Sequence, residues 1–175
     1  YIDISHASNG SIGSIHFGAR NGLVDLVSTD INGDGNTDVL AVNAANDRLK
    51  LFVGNNLGEL GRIPDLQTGR APSAVALADL DRNQSLEIIT ANRSGRSISV
   101  FSGSLTTQYV AIEYPVGKSP IDVATGDFNG DQNPDVFVLD AENAVWLMAG
   151  SVDGLLATPL AIAIGDKPGK FAVQD

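Results

Sequence analysis

Short apolar runs separated by polar turns occupy most of the chain. Some runs are continuously apolar and others alternate apolar with polar residues; examples are VALA (75–78), EIIT (87–90), DVFVL (135–139), LKLFV (49–53), SISVF (97–101) and QYVAIEY (108–114). Continuous runs are typical of strands buried on both faces, and alternation is typical of half-buried strands. No segment has the periodicity of an amphipathic helix, so the pattern predicts an all-β protein.

A nine-residue acidic motif follows one of these runs three times. The copies are DINGDGNTD at 30–38 (loop 1), DLDRNQSLE at 79–87 (loop 2) and DFNGDQNPD at 127–135 (loop 3), at spacings of 49 and 48 residues. The flanking sequence repeats as well, because GRAPSAVALAD (69–79) aligns with GKSPIDVATGD (117–127). Self-similarity at a fixed period indicates a repeat architecture.

The period predicts a β-propeller. Four short strands in a repeat of about 48 residues fit one propeller blade. We expect an incomplete propeller: the end of one blade at 1–18, blades at 19–68, 69–116 and 117–165, and the start of the next at 166–175. An open β-sandwich is the alternative, but a sandwich does not require a motif at a fixed spacing.

Each acidic loop holds three carboxylates within nine residues. Gly and Asn explain a tight turn, but they do not explain three carboxylates in one loop. Two carboxylates about 5 Å apart repel by about 3 kcal/mol at an effective dielectric constant near 20. Oxygen ligands spaced along a short loop are what Ca²⁺ requires. The motif therefore indicates either a calcium site or a solvated acidic turn.

An apolar strand, a DxNxDGxxD-like loop and a second apolar strand, repeated at blade length, resemble the FG-GAP/VCBS repeat family. Members of that family are calcium-bearing propeller repeats of integrin alpha subunits and of many bacterial surface and secreted proteins. The Gly-Ala-Pro element of the family is missing, since AVNAAN (41–46), TANRS (90–94) and VLDAEN (138–143) stand in its place. This departure favours the bacterial VCBS-like members and weakens any inference of integrin-type ligand binding.

The resemblance implies up to three Ca²⁺ ions, one in each loop. In the family, positions 1, 3, 5 and 9 give side-chain oxygens and position 7 gives its backbone carbonyl. The implied ligands are Asp30, Asn32, Asp34, Asn36 and Asp38 in loop 1; Asp79, Asp81, Asn83, Ser85 and Glu87 in loop 2; and Asp127, Asn129, Asp131, Asn133 and Asp135 in loop 3.

The loops differ at position 6, where Gly35 in loop 1 is replaced by Gln84 and Gln132. A positive φ is unfavourable for Gln, so we rank the sites in the order loop 1, loop 3, loop 2. The alternative for loop 2 is a metal-free turn.

Composition limits the classes of function. The net charge of −10 argues against nucleic acid as the main partner, and three Ca²⁺ would bring that charge to −4. The chain has no Cys, so no disulfide supports the fold, and its apolar runs are too short to cross a bilayer. Composition leaves the redox compartment undetermined; the resemblance implies a secreted or cell-surface bacterial protein, whose leader, if it has one, we expect to lie outside this sequence.

No catalytic centre is expected. The sequence has neither a GxSxG motif nor a Cys nucleophile, and the implied calcium sites are structural. Phe52, Phe101 and Trp146 fall in the third strand of successive repeats, where we expect packing between blades. The favoured function is a non-enzymatic module for adhesion or ligand recognition. The alternatives are the propeller of a polysaccharide lyase-like enzyme and a structural spacer in a large surface protein.

The face opposite the acidic loops is the expected binding face. In a four-stranded antiparallel blade, the connections at 18–22, 43–48, 69–73, 92–96, 117–121 and 165–169 would lie there. They contain Arg20, Arg48, Arg70, Arg93, Arg96, Lys118 and Lys167. We expect this face to bind an anionic glycan or an acidic protein segment, and we expect the edges of the propeller to contact neighbouring blades from the rest of the chain or from another subunit.

Overall fold

The computed structural model describes residues 2–8, 11–17, 22–142 and 144–163, and in this part of the chain every regular element is an antiparallel strand. A hairpin comes first, formed by β1 (Ile2–Ser8) and β2 (Ser11–Phe17). Three larger sheets follow. Sheet I contains β3 (Leu23–Thr29), β4 (Asp38–Asn43), β5 (Arg48–Gly54), β6 (Leu60–Arg62) and β7 (Leu66–Gln67).

Sheets II and III each have four strands in chain order. Sheet II contains β8 (Pro72–Ala78), β9 (Glu87–Asn92), β10 (Ser97–Ser102) and β11 (Val110–Pro115). Sheet III contains β12 (Pro120–Gly126), β13 (Asp135–Asp140), β14 (Ala144–Met148) and β15 (Leu160–Ala163). In sheet I the last strand is divided into β6 and β7, which both pair with β5. Pro64 lies in the interruption, where it cannot donate a ladder hydrogen bond.

The second strand of each sheet is the most deeply buried. Every residue of β4 and β9 is buried, as expected for continuous apolar runs covered on both faces. The first strands β3, β8 and β12 each carry a register shift near their start, between Leu23 and Asp25, Pro72 and Ala74, and Pro120 and Asp122. A bulge at the same place in three sheets confirms that the sequence repeat is also a structural repeat.

The hydrophobic core lies between the sheets. One cluster joins Leu40, Val42, Leu49 and Leu51 of sheet I to Val75, Ile88 and Phe101 of sheet II. A larger cluster joins sheet II to sheet III through residues that include Ile89, Ile98, Val136, Val138 and Met148. A single sheet of this kind has no core of its own, so each sheet is stable only when it packs on its neighbour.

The first strands also contact one another through hydrogen bonds. The N–H of Val75 donates to the Asp25 carboxylate at 3.0 Å, and the Ser73 hydroxyl donates to the Pro120 carbonyl at 3.0 Å. Within the described residues, sheets I and III both pack on sheet II and the three do not close into a ring. The predicted fold class, an incomplete all-β propeller segment, is confirmed. No helix capable of spanning a bilayer is found in the described residues.

Candidate metal centre

The three acidic loops connect the first strand to the second strand in sheets I, II and III, and their hydrogen bonds repeat. The carboxylate at position 1 accepts backbone N–H groups from the turn that follows. Asp30 accepts from Gly33 and Gly35 at 2.7 Å each. In loop 3, Asp127 accepts from Gly130 and Gln132 at 2.8 Å each, and in loop 2, Asp79 accepts from Asn83 and Gln84 at 2.9 Å each.

Positions 3, 5 and 7 form a chain of such bonds. The side-chain oxygen at position 3 accepts the N–H of position 5, from Asp34 to Asn32 at 2.9 Å, from Asn83 to Asp81 at 3.2 Å and from Asp131 to Asn129 at 2.8 Å. The side-chain oxygen at position 5 accepts the N–H of position 7, which is Asn36, Ser85 or Asn133, at 2.8, 2.7 and 2.8 Å respectively. Backbone N–H groups thus fix the side-chain oxygen atoms of positions 3 and 5 in the same way in all three loops.

The position 5 carboxylates of loops 1 and 3 are exposed to solvent. The backbone N–H of Asn36 lowers the pKa of Asp34 below its usual value, and the N–H of Asn133 does the same for Asp131. These carboxylates are therefore ionised at neutral pH.

The carboxylate at position 9 begins the second strand and is buried. The exposed fractions of Asp38, Glu87 and Asp135 are 1%, 2% and 0%. Asp38 accepts N–H groups of Ile31 at 3.0 Å and Gly54 at 2.8 Å. Glu87 accepts the N–H of Leu80 at 2.8 Å. Burial raises the pKa of Asp38 and of Glu87 above the usual values, even though these N–H donors oppose the shift.

Loop 2 brings its carboxylates closest together. Asp79, Asp81 and Glu87 each place a carboxylate oxygen within 4.8 Å of the other two, and the described residues contain no second group of three acids, His or Cys this compact. The order of residues within the loop explains why this group is compact. Loop 2 has its second acid at position 3, whereas loops 1 and 3 have Asn there and the acid at position 5. The loop with the least favourable turn residues therefore has the most compact set of acids.

The turn geometry at position 6 follows the predicted pattern. The φ angle is 85° at Gly35 and 71° at both Gln84 and Gln132. Position 4 also has a positive φ, which was not predicted. Gly33 and Gly130 occupy it in loops 1 and 3, and Arg82 with φ 60° occupies it in loop 2. Loop 2 therefore has two strained non-glycine residues.

Position 2 of each loop carries an apolar residue, which was not predicted as a functional position from the sequence, and two of the three are anchored in the core. Leu80 of loop 2 is 1% exposed and packs in the cluster that contains Leu156 of the β14–β15 connection. Ile31 of loop 1 packs in the cluster that contains Leu105 of the β10–β11 connection. Phe128 of loop 3 is 41% exposed. Its ring packs edge-to-face with that of Phe137, and the two ring centroids are 4.3 Å apart. The connection from the following sheet covers the first two loops, and in the described residues no such connection covers the third.

Loops 2 and 3 are joined directly. The Arg82 guanidinium donates from Nη2 to the carbonyl of Gln132 at 2.6 Å. Its positive charge also contributes to the lowered pKa of Asp131. Sequence alone gives little sign of this contact, because Arg82 and Gln132 are 50 residues apart.

The basic residues of the opposite face are placed as follows. Arg70, Arg93, Arg96 and Lys118 are exposed and Arg48 is half-buried, whereas the predicted members Arg20 and Lys167 lie outside the described residues. The turn at 93–96 is bound to the β7–β8 connection, since the N–H groups of Ser94 and Gly95 both donate to the Arg70 carbonyl, at 3.1 and 3.0 Å. Lys118 forms an ion pair with Glu142 at 2.9 Å.

The buried residue Asp140 holds the β11–β12 connection on the same face. Its burial alone would raise its pKa, but the backbone N–H groups of Ser119, Glu142 and Lys118 outweigh burial and hold the pKa below the usual value. Asp140 is therefore a structural acceptor that fixes the β11–β12 connection, on which Lys118 is carried.

Comparison with known proteins supports the repeat assignment. Residues 30–90, which include loops 1 and 2, match the family model described as the FG-GAP-like repeat. A search of curated proteins finds no match.

Solved structures show a similar fold. The periplasmic gluconolactonase PpgL of Pseudomonas aeruginosa aligns with a TM-score of 0.65 and 14% identity, over 93% of this chain and 45% of that chain. BBS1N, from a crystal of its complex with ARL6DN soaked with lead, aligns with a TM-score of 0.57 and 14% identity, over 86% of this chain and 46% of that chain. The chain thus spans about half the length of each. Residues 30–90 carry an FG-GAP-like repeat, within an all-β fold that is an incomplete β-propeller.

Proposed function

We propose that this chain is a non-catalytic recognition or adhesion module whose blades, at 19–68, 69–116 and 117–165, are each stabilised by one Ca²⁺. The observation that carries the proposal is the repeated arrangement of oxygen atoms in three loops. Every predicted ligand side chain at positions 1, 3, 5 and 9 is an oxygen donor, and backbone N–H groups fix the carboxylates in the same pattern each time. Bacterial surface and secreted proteins carry repeats of the kind that this sequence resembles, which supports the proposal that the module belongs to such a protein.

The donor set of each loop fits calcium. Ca²⁺ takes six to eight oxygen ligands from carboxylates, amides and backbone carbonyls, and each loop supplies these three types within nine residues. A bound ion would offset both the repulsion among the acids and the burial of the carboxylate at position 9. Asp38 and Glu87 show the cost of that burial in the metal-free protein, because their pKa values are raised.

Replacing Glu87 with Gln is predicted to change stability in opposite directions with and without calcium. The raised pKa of Glu87 means that, in the metal-free protein, the native state binds more protons than the unfolded state between the unfolded and the folded pKa. Metal-free stability therefore falls as pH rises through that window, and Glu87→Gln removes this loss. With Ca²⁺ in excess the same variant should lose up to about 2.7 kcal/mol, the stabilisation from one site at a hundredfold excess of ligand over its dissociation constant.

Urea denaturation at pH 7, in chelator and in millimolar Ca²⁺, measures how Glu87→Gln changes the free energy of unfolding under each condition. Glu59→Gln is the matched control, since Glu59 is exposed and lies outside the three loops; its effect should be small and equal in both conditions. A Glu87→Gln variant that changes stability by the same amount with and without calcium would show that loop 2 does not bind the ion.

We further propose that the face opposite the loops binds an anionic partner, and that the propeller edges contact neighbouring blades. The basic residues on this face are held by the backbone contacts around Arg70 and by the Asp140 acceptor. A positive patch on a protein with a net charge of −10 concentrates attraction for anions in one place. The Lys118–Glu142 pair is exposed, so it holds Lys118 only weakly.

Replacing Arg70, Arg93 and Lys118 together with Ser is expected to abolish binding to a polyanion. Retention on a dextran sulfate column, followed as the salt concentration needed for elution, measures this effect. Arg62→Ser is the control, because Arg62 is exposed on β6 and pairs with Asp65. The calcium-dependent melt of the triple variant should stay unchanged. If the triple variant elutes at the same salt concentration as the parent protein, this face is not the anion-binding surface.

A further inference from the structure

A cleft of about 410 Å³ lies at the junction of sheets II and III, away from the acidic loops. It is lined by Arg96, Pro115, Val116, Gly117, Trp146 and Pro159. Arg96 comes from the β9–β10 turn, and Pro115, Val116 and Gly117 come from the end of β11 and the connection that leads to β12. The volume is in the range of small-molecule sites.

Trp146 differs from the other aromatic residues of the third strands. Phe52 and Phe101 lie two residues before the repeated glycines Gly54 and Gly103, whereas Trp146 lies four residues before the equivalent Gly150. Its counterparts are therefore Lys50 and Ser99. The Trp146 ring packs against the margin of the core between sheets II and III, and it also lines a second cleft of about 190 Å³ together with Lys118, Asp140, Glu142 and Ala144.

The indole of Trp146 is held in place by the β11–β12 connection. Gly117 has a φ of 62°, and a Cβ atom there would collide with both the Asp140 carboxylate and the indole nitrogen. The indole Nε1 is buried, and in the described residues it finds no hydrogen-bond partner. Because no hydrogen bond holds the indole, packing fixes the ring at this position. Leaving this buried donor unpaired costs free energy.

Arg96 is the charged residue of the cleft. Its backbone has a φ of 57°, a region that Asn, Asp or Gly occupies more readily than Arg. Its backbone groups pair with Asn92 and Val116, but across the described part of the chain its guanidinium makes neither an ion pair nor a hydrogen bond. Asp47, at the equivalent turn of sheet I, has the same φ of 57°, so this backbone conformation belongs to the repeated turn. The observation that indicates a ligand site is the unpaired guanidinium at a cleft that is otherwise apolar apart from the indole nitrogen.

We propose that this cleft binds a sugar unit bearing a carboxylate. A Trp ring and two prolines give an apolar surface for the face of a sugar ring, and the planar guanidinium of Arg96 matches a carboxylate with two parallel hydrogen bonds. The Arg96 guanidinium is the polar side-chain group that this lining offers to a ligand, since the indole nitrogen is buried and Pro, Val and Gly have no polar side-chain atoms. A carboxylated sugar has both a carboxylate for Arg96 and a flat C–H face for the Trp ring, whereas an acidic peptide has the carboxylate without that flat face. The site thus favours the sugar over an acidic peptide.

This inference rests on the proposed recognition role and names the ligand class for the basic face, but it does not depend on calcium. Arg93 lies in the same turn as Arg96, and Lys118 follows Gly117 on the connection. Arg93 and Lys118 add positive charge near the site, although Lys118 is paired with Glu142, while Arg96 supplies the direct contact. The Arg70, Arg93 and Lys118 triple variant therefore tests long-range electrostatic attraction, and a variant at Arg96 tests the direct contact in the cleft.

Fluorescence gives a direct test because Trp146 is the one Trp of the chain. The probe is a glucuronate-containing tetrasaccharide, with its carboxyl-reduced counterpart and a tetraglutamate peptide as competitors of different chemistry. Titration should quench or shift the emission of Trp146 with the glucuronate probe. We expect binding at least tenfold weaker for the carboxyl-reduced sugar and for the peptide.

Arg96→Asn removes the charge and keeps a residue that tolerates a positive φ. We expect at least a tenfold loss of affinity for the glucuronate probe, with the calcium-dependent melt unchanged, whereas Arg62→Ser should bind as the parent protein does. Unchanged emission at saturating probe, equal binding of the reduced sugar, tighter binding of tetraglutamate, or full affinity in Arg96→Asn would each overturn the proposal. Loss of the calcium effect on melting with glucuronate binding intact would instead refute the calcium role alone.

Discussion

Excess chelator should lower the melting temperature by roughly 15–30 °C relative to millimolar Ca²⁺. Each site contributes about 2.7 kcal/mol at a hundredfold excess of ion over its dissociation constant, and 1 kcal/mol shifts the melting temperature of a domain of this size by about 2–4 °C. Three sites together approach the whole stability of an ordinary domain. The chain has no disulfide to limit the loss.

Magnesium serves as the control for the melting experiment. Mg²⁺ prefers octahedral geometry and keeps several of its water ligands, so it suits an all-protein oxygen site poorly. Millimolar Mg²⁺ should therefore recover only a small part of the shift that Ca²⁺ gives. Superimposable melting curves in chelator and in calcium would contradict the structural role of the ion.

Leu80→Ala should cost about 2–5 kcal/mol, which is the range for a leucine truncated in a core. Leu80 is 1% exposed and lies in the cluster that joins sheets II and III. The truncation leaves a cavity under loop 2, at the point where two sheets meet. Urea denaturation in saturating Ca²⁺ measures the loss in the free energy of unfolding. Under this condition the two proteins should differ in packing and not in calcium occupancy.

Phe128→Ala provides a matched comparison for Leu80→Ala. Phe128 holds the same loop position in sheet III, but it is 41% exposed and its ring contact is with Phe137. Its truncation should cost about 1 kcal/mol, the order of one aromatic pair. Equal losses for the two variants would mean that packing between sheets II and III does not anchor loop 2.

The fold could be predicted because its signal is repeated. The acidic loops recur at spacings of 49 and 48 residues, and each is followed by an apolar strand. The structure buries every residue of β4 and β9 and all but Phe137 of β13. The divided last strand of sheet I was not predicted, although Pro64 was a local sign of it. A proline inside a strand pattern shows where the ladder is interrupted, but not that a second short strand follows.

The candidate site was predicted less completely. The fifteen expected ligands could be named because each loop matches the family motif position by position, and they stay a prediction. Contacts between repeats could not be, because side chains meet there across about 50 residues of chain. Arg82 reaches Gln132, and Leu80 lies with Leu156, only once the sheets are packed. The different register of Trp146 is visible in the sequence, but its place in a cleft depends on Gly117 and Arg96.

Calcium stoichiometry tests the central claim most directly. Equilibrium dialysis of the demetallated protein against Ca²⁺ should give three ions bound to each chain. Asp34→Asn, Asp81→Asn and Asp131→Asn each remove one acid from one loop, and each should lower the count by one at limiting Ca²⁺. A demetallated protein that binds no calcium, or a count that none of the three variants changes, would contradict the account.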